Sequence, residues 1–483
     1  MIVSILLTFY RYNDYIVTMT IWTPDIIERS GPKYLAIADV IGEAISDGEL
    51  AAGDKLPPQR DLAYDLSVTL GTITRAYQEA TRRGLVGGEV GRGTYVLGPS
   101  VSASPTGIFL SSEISGKNSL DFSLATPTSA DAGKLLAATL SDISSSGSLS
   151  ALLEYQPKTG FPEHLEAGAS WISRSGLTAT ADRIALTNGA QQGIMQSMLT
   201  VARPGDIILS DTLTYPGTIH LANQLGFQLQ GVAMDEHGMI PEELDEICRH
   251  TAARAVYLMP TLQNPTTVTM PIERRIAIAE VARRHDLYIL EDDIWGQLLD
   301  HHLPPLSSYA PERSFYICSL SKCMAGGLRV GYILAPETKI SALRSNIRIN
   351  NWMTAPLMSE IARRWISDGT GDGLIKLQRA EIRKRTTLAY EALKGFTAHI
   401  PPDALHLWLE LPSPWRASDF HAEAARQGIS LLTSETFMVG RDAAPHAVRI
   451  CVGGKKSADD VQHGMAKIAE ILNNGPEAGL TIL

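Results

Sequence analysis

Cysteine is scarce in this sequence, and its few copies are spread too widely to form a zinc site or a disulfide framework. The four cysteines share no CxxC spacing and lie at Cys248, Cys318, Cys323 and Cys451. Scattered, unpaired cysteines are typical of chains that stay in a reducing compartment. We therefore expect a cytoplasmic protein that binds no metal.

Long apolar runs are also missing. No stretch approaches the ~20 residues that a helix needs to cross a bilayer, so the sequence predicts no membrane segment. The opening residues, MIVSILLTF, are apolar, but they lack the basic flank and the cleavage site of a secretory signal. Patterned sequence begins only after Met19. We expect residues 1–18 to come from a start codon placed too far upstream, and we treat 1–30 as an N-terminal extension.

Positive charge is in short supply as well. The chain has 42 Lys and Arg against 52 Asp and Glu, a formal net charge of −10 at pH 7. A protein that coats nucleic acid non-specifically must neutralise many phosphates, so this balance excludes that class. It still allows a compact reader of DNA whose few cations are well placed.

Residues 31–98 carry the pattern of three short helices and a hairpin. Apolar residues recur at helical spacing within 33–47, 59–66 and 70–83. Two strand-like runs follow, LVGGEV and TYVLG, on either side of a glycine-rich loop. This order of elements predicts a winged helix-turn-helix, which is a DNA-binding fold.

The rest of the chain has a different pattern. Residues 99–119 are rich in Ser, Gly, Pro and Thr and predict a linker. From 120 onward, helical patterns alternate with short β-rich runs such as RIALT, DIILS and AVYLM, which is typical of a mostly parallel sheet wrapped by helices. We expect one α/β body at 120–483, with a small subdomain at roughly 350–483.

The run LPPQRDLAYDLSVTLGTITRAYQEATRRGLV, followed by GRGTYV, closely resembles the GntR family of bacterial regulators. The resemblance implies that the third helix meets base edges with its N-terminal half, and that double-stranded operator DNA is the partner. Leu70 stands where many family members carry a base-reading arginine. The candidate DNA-binding residues are Arg60, Thr69, Thr72, Thr74 and Arg75, with Arg92 and Gly93 at the tip of the wing.

The segment YICSLSKCMAGGLRVGY resembles the lysine motif of fold-type I pyridoxal-phosphate enzymes, the aspartate aminotransferase group. The resemblance implies pyridoxal 5'-phosphate as cofactor, joined to Lys322 as a Schiff base, with its phosphate bound by Ser319 and Arg329. A second motif, NGAQQG, opens a helix after a strand. Its backbone N–H groups can hold the same phosphate and lie at Gly189, Ala190 and Gln191.

Other residues match this group in the same order along the chain. The resemblance implies that Lys322 and Asp292 are the catalytic residues, because a carboxylate beside the ring nitrogen keeps the ring an electron sink. It implies further that Tyr215 stacks on the ring, that Asn264 binds its phenolic oxygen, and that Arg449 binds the carboxylate of the effector. Tyr155 resembles a tyrosine that reaches the phosphate of a neighbouring subunit, so we expect a homodimer.

Two positions depart from the group's pattern. Trp295, which we count among the cofactor-binding residues, replaces a tyrosine three residues after Asp292, and an indole N–H only donates. Thr267 replaces the glycine of the usual NPTG. Both departures put efficient transamination in doubt more than cofactor binding.

A GntR-type head joined to an aminotransferase-like body resembles the MocR subgroup of the GntR family. The resemblance implies a winged helix-turn-helix followed by a fold-type I transferase-like domain with a small C-terminal α/β subdomain. It implies a transcriptional regulator that senses an amino acid or amine by exchanging Lys322 for the ligand's amino group on the cofactor. Two alternatives stay open: a working aminotransferase of the aminoadipate or kynurenine type, and a sensor of pyridoxal phosphate itself.

Overall fold

The computed structural model describes Trp22 and residues 32–46, 49–50, 54–82, 85–89, 93–96, 119–128, 131–147, 149–155, 160–440 and 444–476. The chain divides into two compact units, residues 1–110 and 111–483. The expected N-terminal extension, except Trp22, and the expected linker, except Ser119, lie outside the described residues and stay predictions.

The described residues of the first unit form three helices and a two-stranded wing. The helices are α1 (Lys33–Ser46), α2 (Gln59–Asp65) and α3 (Leu70–Arg82), and β1 (Val86–Glu89) pairs antiparallel with β2 (Gly93–Val96). Apolar side chains at helical spacing in all three helices meet in one core, which Val86 and Val96 close from the wing. The fold expected for this part of the chain is confirmed.

A seven-stranded sheet forms the centre of the second unit. In spatial order its strands are β4 (Ile184–Thr187), β12 (Gly331–Leu334), β11 (Ser314–Ser319), β10 (Tyr288–Asp292), β9 (Ala253–Leu258), β5 (Ile207–Asp211) and β6 (Gln228–Val232). Only β12 runs antiparallel to its neighbours in this sheet. The expected mostly parallel sheet is therefore confirmed, and the burial of its central strands on both faces explains their uninterrupted apolar sequences.

Helices cover both faces of this sheet. Several of them start with a proline at the first helical position, where the missing N–H costs no hydrogen bond. The helices that precede the small subdomain are Ala132–Ser145, Leu149–Leu152, Pro162–Ser173, Ala190–Val201, Pro216–Leu225, Pro241–His250, Ile272–Arg284, Ile340–Asn351 and Pro356–Ser367. A short hairpin of β7 (Met234–Asp235) and β8 (Gly238–Met239) follows β6.

The small subdomain, over the residues that the structure describes, has a four-stranded antiparallel sheet and three helices. Its strands, in spatial order, are β13 (Ala398–His399), β14 (His406–Glu410), β17 (Ala447–Cys451) and β16 (Leu432–Thr433). Its helices are Thr370–Ala392, Ala417–Arg426 and Ala458–Asn474. A distant part of the chain joins it: β3 (Leu120–Asp121) pairs with β15 (Ile429–Ser430), and Phe122 is buried in the same core.

In the described part of the chain, no helix is long and apolar enough to cross a membrane. The same residues contain no cluster of three or more side chains suited to hold a metal ion.

Candidate cofactor site and candidate nucleic-acid interface

The residues singled out for the cofactor gather at one edge of the seven-stranded sheet. Asp292 ends β10, Lys322 follows β11, Asn264 follows β9, Tyr215 follows β5 and Gly189 follows β4. Since the carboxyl ends of parallel strands meet at the same edge, the topology brings together residues that lie more than a hundred positions apart. Ligands bind at this edge in open α/β sheets.

Lys322 lies in the middle of this group. Its amine donates to the backbone oxygen of Ala125, and it is 5.7 Å from the centre of the Trp295 ring. Burial lowers the pKa of Lys322 to about 8. A lysine with such a pKa keeps about a tenth of its amine neutral at pH 7, so it can act as a nucleophile or accept a proton.

A cradle for an anion lies beside the lysine. Gly189 precedes the helix Ala190–Val201 with a φ of 80°, and a Cβ at this position would stand 2.7 Å from the Arg329 guanidinium. The same guanidinium donates to the backbone oxygen of Asn188 at 3.2 Å and approaches the Ser321 hydroxyl at 3.4 Å. The helix start has no acidic residue in its first turn. A phosphate fits these N–H groups and this cation.

Ser319, buried under the cradle, is held in place by its own hydrogen bonds. Its hydroxyl donates to the backbone oxygen of Val330 at 3.1 Å and lies 3.0 Å from the Ser321 hydroxyl. The hydroxyl groups of Ser319 and Ser321 therefore lie near Arg329. Ser321 is thus a further candidate phosphate ligand, beside the predicted Ser319 and Arg329.

Asp292 carries a buried carboxylate with unequal oxygens. Oδ2 accepts a hydrogen bond from the Tyr257 hydroxyl at 2.9 Å, whereas Oδ1 is buried and has no partner among the described residues. Burial raises the pKa of Asp292 to about 7, and the bond from Tyr257 opposes this rise. A buried, unpartnered carboxylate oxygen suits the protonated ring nitrogen of pyridoxal phosphate, so this residue fits the cofactor.

Arg449, on β17, is fixed before any ligand binds. Its guanidinium donates to Asn264 Oδ1 at 2.8 Å and to the backbone oxygen of Ser123 at 2.5 Å, and it lies 4.9 Å from the centre of the Phe437 ring. Its Nε is buried and has no partner among the described residues. A held guanidinium with a free donor is suited to bind a carboxylate.

The aromatic ring of Tyr215 lines one side of the site. Its hydroxyl donates to Gln191 Oε1 at 2.9 Å, and its ring packs so closely on Gly217 that a Cβ there would lie 2.4 Å from it. Burial raises the pKa of Tyr215 to about 12, so the phenol stays protonated. Its ring is thus free to stack while its hydroxyl is anchored.

Trp295 is a buried aromatic residue of the site. It is 2% exposed, its indole nitrogen has no partner among the described residues, and its ring centre is 5.4 Å from that of His406. Burial and the nearby Arg449 lower the pKa of His406 to about 3, so this imidazole is neutral. The free indole N–H can donate to a ligand but cannot exchange a proton as a tyrosine would.

Thr267 has a backbone conformation that glycine adopts without strain and other residues rarely adopt. Its φ is 62°, in the left-handed region, and its side chain is fully buried. The Thr267 hydroxyl lies 2.6 Å from His399 Nδ1 on β13. This contact to the small subdomain offsets a strain of about 1–2 kcal/mol, which explains how the substitution is accommodated.

Tyr155 is the exception to the gathering of cofactor residues. Its side chain is 80% exposed, and its ring packs edge-on against Trp352 with 5.7 Å between centres. An exposed position is consistent with a role toward a second subunit, which stays a prediction.

Sequence reasoning missed Tyr257, Ser321 and His406. The signal for two of them was weak but present: Tyr257 and His406 each place a polar tip inside a run that otherwise predicts a buried strand. Buried polar tips need partners: the Tyr257 hydroxyl donates to Asp292, and His406 Nε2 lies 3.3 Å from the backbone oxygen of Gln263, next to Asn264.

In the first unit, the N-terminal ends of α1 and α3 line a cavity of about 450 Å³. Thr69 caps α3, since its hydroxyl accepts from the Thr72 N–H at 3.2 Å and lies 2.9 Å from the Thr72 hydroxyl. Arg75, another predicted residue, is exposed at the same place, and Lys33, which the sequence analysis did not single out, contributes a second cation. These side chains are suited to contact a DNA backbone.

The other predicted DNA-binding residues differ in their surroundings. Arg60 is exposed on α2. The Thr74 hydroxyl is used within the fold, donating to Gln59 Oε1 at 2.8 Å, with the Leu70 backbone oxygen at 3.0 Å. Gly93 begins β2, and Arg92 lies outside the described residues. A role of these residues toward DNA stays a prediction.

The fold and site define a pyridoxal-phosphate-binding, aminotransferase-like domain that follows a winged helix-turn-helix. Residues 119–468 match the family "Aminotransferase class I and II", and residues 33–96 match "Bacterial regulatory proteins, gntR family". Because the first match covers most of the chain, the chain belongs to the aminotransferase class I and II family. Its N-terminal unit is a GntR-type DNA-binding domain.

Curated relatives match this chain over most of its length. An uncharacterized HTH-type transcriptional regulator, YdeF of Bacillus subtilis (strain 168), is 29% identical over 94% of this chain and 97% of its own length. The vitamin B6 salvage pathway transcriptional repressor PtsJ of Salmonella typhimurium is 26% identical over 86% of this chain and 93% of its own. Among solved structures, Pyrococcus horikoshii kynurenine aminotransferase has a TM-score of 0.68 at 23% identity, over 74% of this chain and 91% of that one, which shows the fold.

Proposed function

We propose that this protein is a transcriptional regulator of the MocR type that binds operator DNA and responds to an amino acid or amine bound beside pyridoxal phosphate. One observation carries the proposal: a GntR-type head and an aminotransferase-type body lie in one chain, and a relative named a transcriptional regulator matches 94% of that chain. We place the regulator in the cytoplasm, where its four cysteines, none in a disulfide, would stay reduced.

Each site residue has a task in this proposal. Pyridoxal phosphate supplies, when bound, an aldehyde that captures primary amines and a ring that accepts electrons. Lys322 presents an amine that is partly neutral near pH 7. Asp292 offers a buried carboxylate oxygen to the ring nitrogen, and Arg329 with the helix start at Gly189 holds the phosphate.

Arg449 selects the class of effector. Its guanidinium is held by Asn264 and Ser123 and retains a free N–H, so an α-carboxylate can bind without reorganising the side chain. An amino acid is therefore favoured over an amine that lacks a carboxylate.

The test is a footprinting experiment on the region upstream of the protein's own coding sequence. The purified full chain, loaded with pyridoxal phosphate, should protect a defined segment, and one amino acid from a complete panel should change the extent or affinity of protection. Weak, equally salt-sensitive binding to every fragment, with no amino acid effect, would overturn the proposal.

We propose further that the protein is a homodimer, with Tyr155 lying at the interface. Four large apolar side chains are exposed near this residue, including the Trp352 ring that it contacts, and such patches mark association surfaces. They are Leu149, Leu153, Ile349 and Trp352, exposed by 44%, 85%, 81% and 49%.

Replacing Ile349 with Asp should convert the dimer to a monomer at micromolar concentration, because the interface would have to bury an unpaired charge. Analytical ultracentrifugation measures the change. Leu377→Asp is the matched control: Leu377 is 58% exposed on the helix Thr370–Ala392, and this variant should stay dimeric. Equal behaviour of the two variants would contradict the proposed interface.

Replacing Lys33 or Arg75 with Ala should weaken binding to all DNA sequences, because each cation contacts backbone phosphate rather than a base. The slope of log affinity against log salt should fall by about 0.9 for each contact removed. Fluorescence anisotropy between 50 and 200 mM salt, roughly the range in which such slopes are measured, gives the result. Lys134→Ala removes the same charge from the second unit and should leave the slope unchanged. An unchanged slope in both head variants would exclude this cavity as a phosphate site.

The enzyme alternative keeps one observation in its favour: Lys322, Asp292 and Arg449 stand together as an aminotransferase would need them. Sustained conversion of an amino acid with 2-oxoglutarate over many turnovers would favour it, whereas a single slow turnover would favour the regulator.

The relative named a vitamin B6 salvage repressor supports the other alternative, in which the cofactor itself is the signal. In that case, adding pyridoxal phosphate alone should change DNA protection.

A further inference from the structure

Tyr257 lies beside Asp292 on the neighbouring strand and has no assigned role. In the parallel pairing of β9 with β10, Tyr257 is opposite Leu290, two residues before Asp292. Residues two apart in a strand project from the same face, so the tyrosine ring and the carboxylate share one side of the sheet. The ring is fully buried, and its hydroxyl donates to Asp292 Oδ2 at 2.9 Å.

This hydrogen bond makes the two oxygens of Asp292 unequal. Oδ2 is occupied by Tyr257, and Oδ1 is buried without a partner among the described residues. Burial and the adjacent Asp292 charge raise the pKa of Tyr257 well above its ordinary value, so the phenol keeps its proton and stays a donor to Asp292. A permanent donor favours the ionised form of its acceptor.

We propose that Tyr257 is a positioning residue for the cofactor: its hydroxyl fixes the Asp292 carboxylate, favours its ionised form, and leaves Oδ1 as the oxygen available to the ring nitrogen. The inference rests on the proposed function, because it assumes that pyridoxal phosphate binds at this site.

Other groups around Asp292 decide how much this hydrogen bond matters. Glu291 and Asp293, its neighbours in the chain, raise its pKa by like charge, and Lys322 lowers it. Tyr215, from the start of the helix Pro216–Leu225, is protonated and neutral. Burial outweighs them all and raises the pKa to about 7, while the bond from Tyr257 is the largest influence in the opposite direction. Without this bond the pKa of Asp292 would be higher still, so a larger fraction of this carboxyl group would be protonated at neutral pH and it would hold a protonated ring nitrogen less well.

The neighbouring strand supplies a matched control. Tyr316, on β11, is also buried, and its hydroxyl donates to Asp293 Oδ2 at 2.7 Å. Tyr316→Phe therefore removes the same hydroxyl from the same kind of residue beside the next carboxylate. Both substitutions keep the ring, so both cores stay filled.

The experiment compares the unchanged protein, Tyr257→Phe and Tyr316→Phe by two measurements on the full chain. One is the dissociation constant for pyridoxal phosphate, followed by fluorescence; the other is the pH dependence of the absorbance of the bound cofactor. Tyr257→Phe should weaken binding by between about tenfold and a hundredfold, the range expected for a lost hydrogen bond to a charged group. In this variant the pH midpoint of the change in cofactor absorbance should be lower by at least one unit, because Asp292 would hold the protonated ring nitrogen less well. Tyr316→Phe should change the dissociation constant for pyridoxal phosphate by less than about twofold. It should shift the pH midpoint of the absorbance change by no more than a few tenths of a unit.

A second pair of variants tests whether Tyr257 acts through Asp292. In an Asp292→Asn background, adding Tyr257→Phe should change cofactor affinity by less than about twofold, because the charged acceptor is already gone. A full effect in that background, or equal effects of Tyr257→Phe and Tyr316→Phe, would overturn the inference. If the unchanged protein failed to bind pyridoxal phosphate, the proposed function would fall and this inference with it.

Discussion

Lys322→Ala protein should contain no covalently attached pyridoxal phosphate after treatment with borohydride, which makes a lysine–cofactor bond permanent. The reason is geometric as well as chemical. Lys322 follows β11 at the carboxyl edge of the sheet, beside the Asp292 carboxylate and the cradle at Arg329. Its pKa of about 8 keeps part of its amine neutral, and only a neutral amine can attack an aldehyde.

Mass spectrometry of the reduced protein measures the attachment, and peptide mapping locates it. Lys456 provides a comparison within the same chain, because burial lowers its pKa too, but its amine donates to the Asp121 backbone oxygen in the small subdomain. The attachment should map to Lys322 in the unchanged protein and should not move to Lys456 in the variant. Undiminished labelling of Lys322→Ala would show that the cofactor is held elsewhere, while far-UV circular dichroism confirms that the variant is folded.

Much of this site could be predicted because each piece is a short motif tied to a strand end. Asp292 ends an apolar strand, and Lys322 and Asn264 follow two others that end at the same edge, while the family resemblance implied that all three serve one cofactor. Strand bounds differ by one or two residues from the sequence patterns: the run DIILS begins at residue 206, whereas β5 spans Ile207–Asp211. Hydrogen bonding between neighbours, rather than composition, decides where a strand ends.

What the sequence did not predict depends on contacts between distant residues. Tyr257 and Asp292 are 35 positions apart and meet only because β9 and β10 are neighbours in a fixed register. Phe122 precedes every strand of the large sheet, yet it is buried in the core of the small subdomain. Thr74 has a predicted role toward DNA, which stays a prediction, and its hydroxyl also donates to Gln59 on α2, a contact that the sequence did not predict. In each case, a local pattern gives the type of element but not the neighbour that its side chain will reach.

Arg449→Gln should abolish the preference for amino acids over the corresponding amines. The guanidinium is held by Asn264 and by the Ser123 backbone oxygen, and a glutamine can neither span both acceptors nor carry the charge. Losing a charged hydrogen-bonded pair in a buried site costs about 2–5 kcal/mol, so an amino acid that binds the unchanged protein should bind at least about thirtyfold more weakly. The matching decarboxylated amine should bind both proteins within about twofold.

The measurement is a titration of the cofactor absorbance with each amino acid and its decarboxylated partner, in the unchanged protein and in the variant. Arg344→Gln is the control, because Arg344 also donates to backbone oxygens, those of Ala181 and Ile184, but lies on the helix Ile340–Asn351 outside the group of site residues. This control should lose some thermal stability and keep its ligand preference. Equal weakening of amino acids and amines by Arg449→Gln would mean that Arg449 shapes the pocket rather than binding a carboxylate. The effector would then have to be sought among amines, with Lys322 and the aromatic walls at Tyr215 and Trp295 as the remaining sources of selectivity.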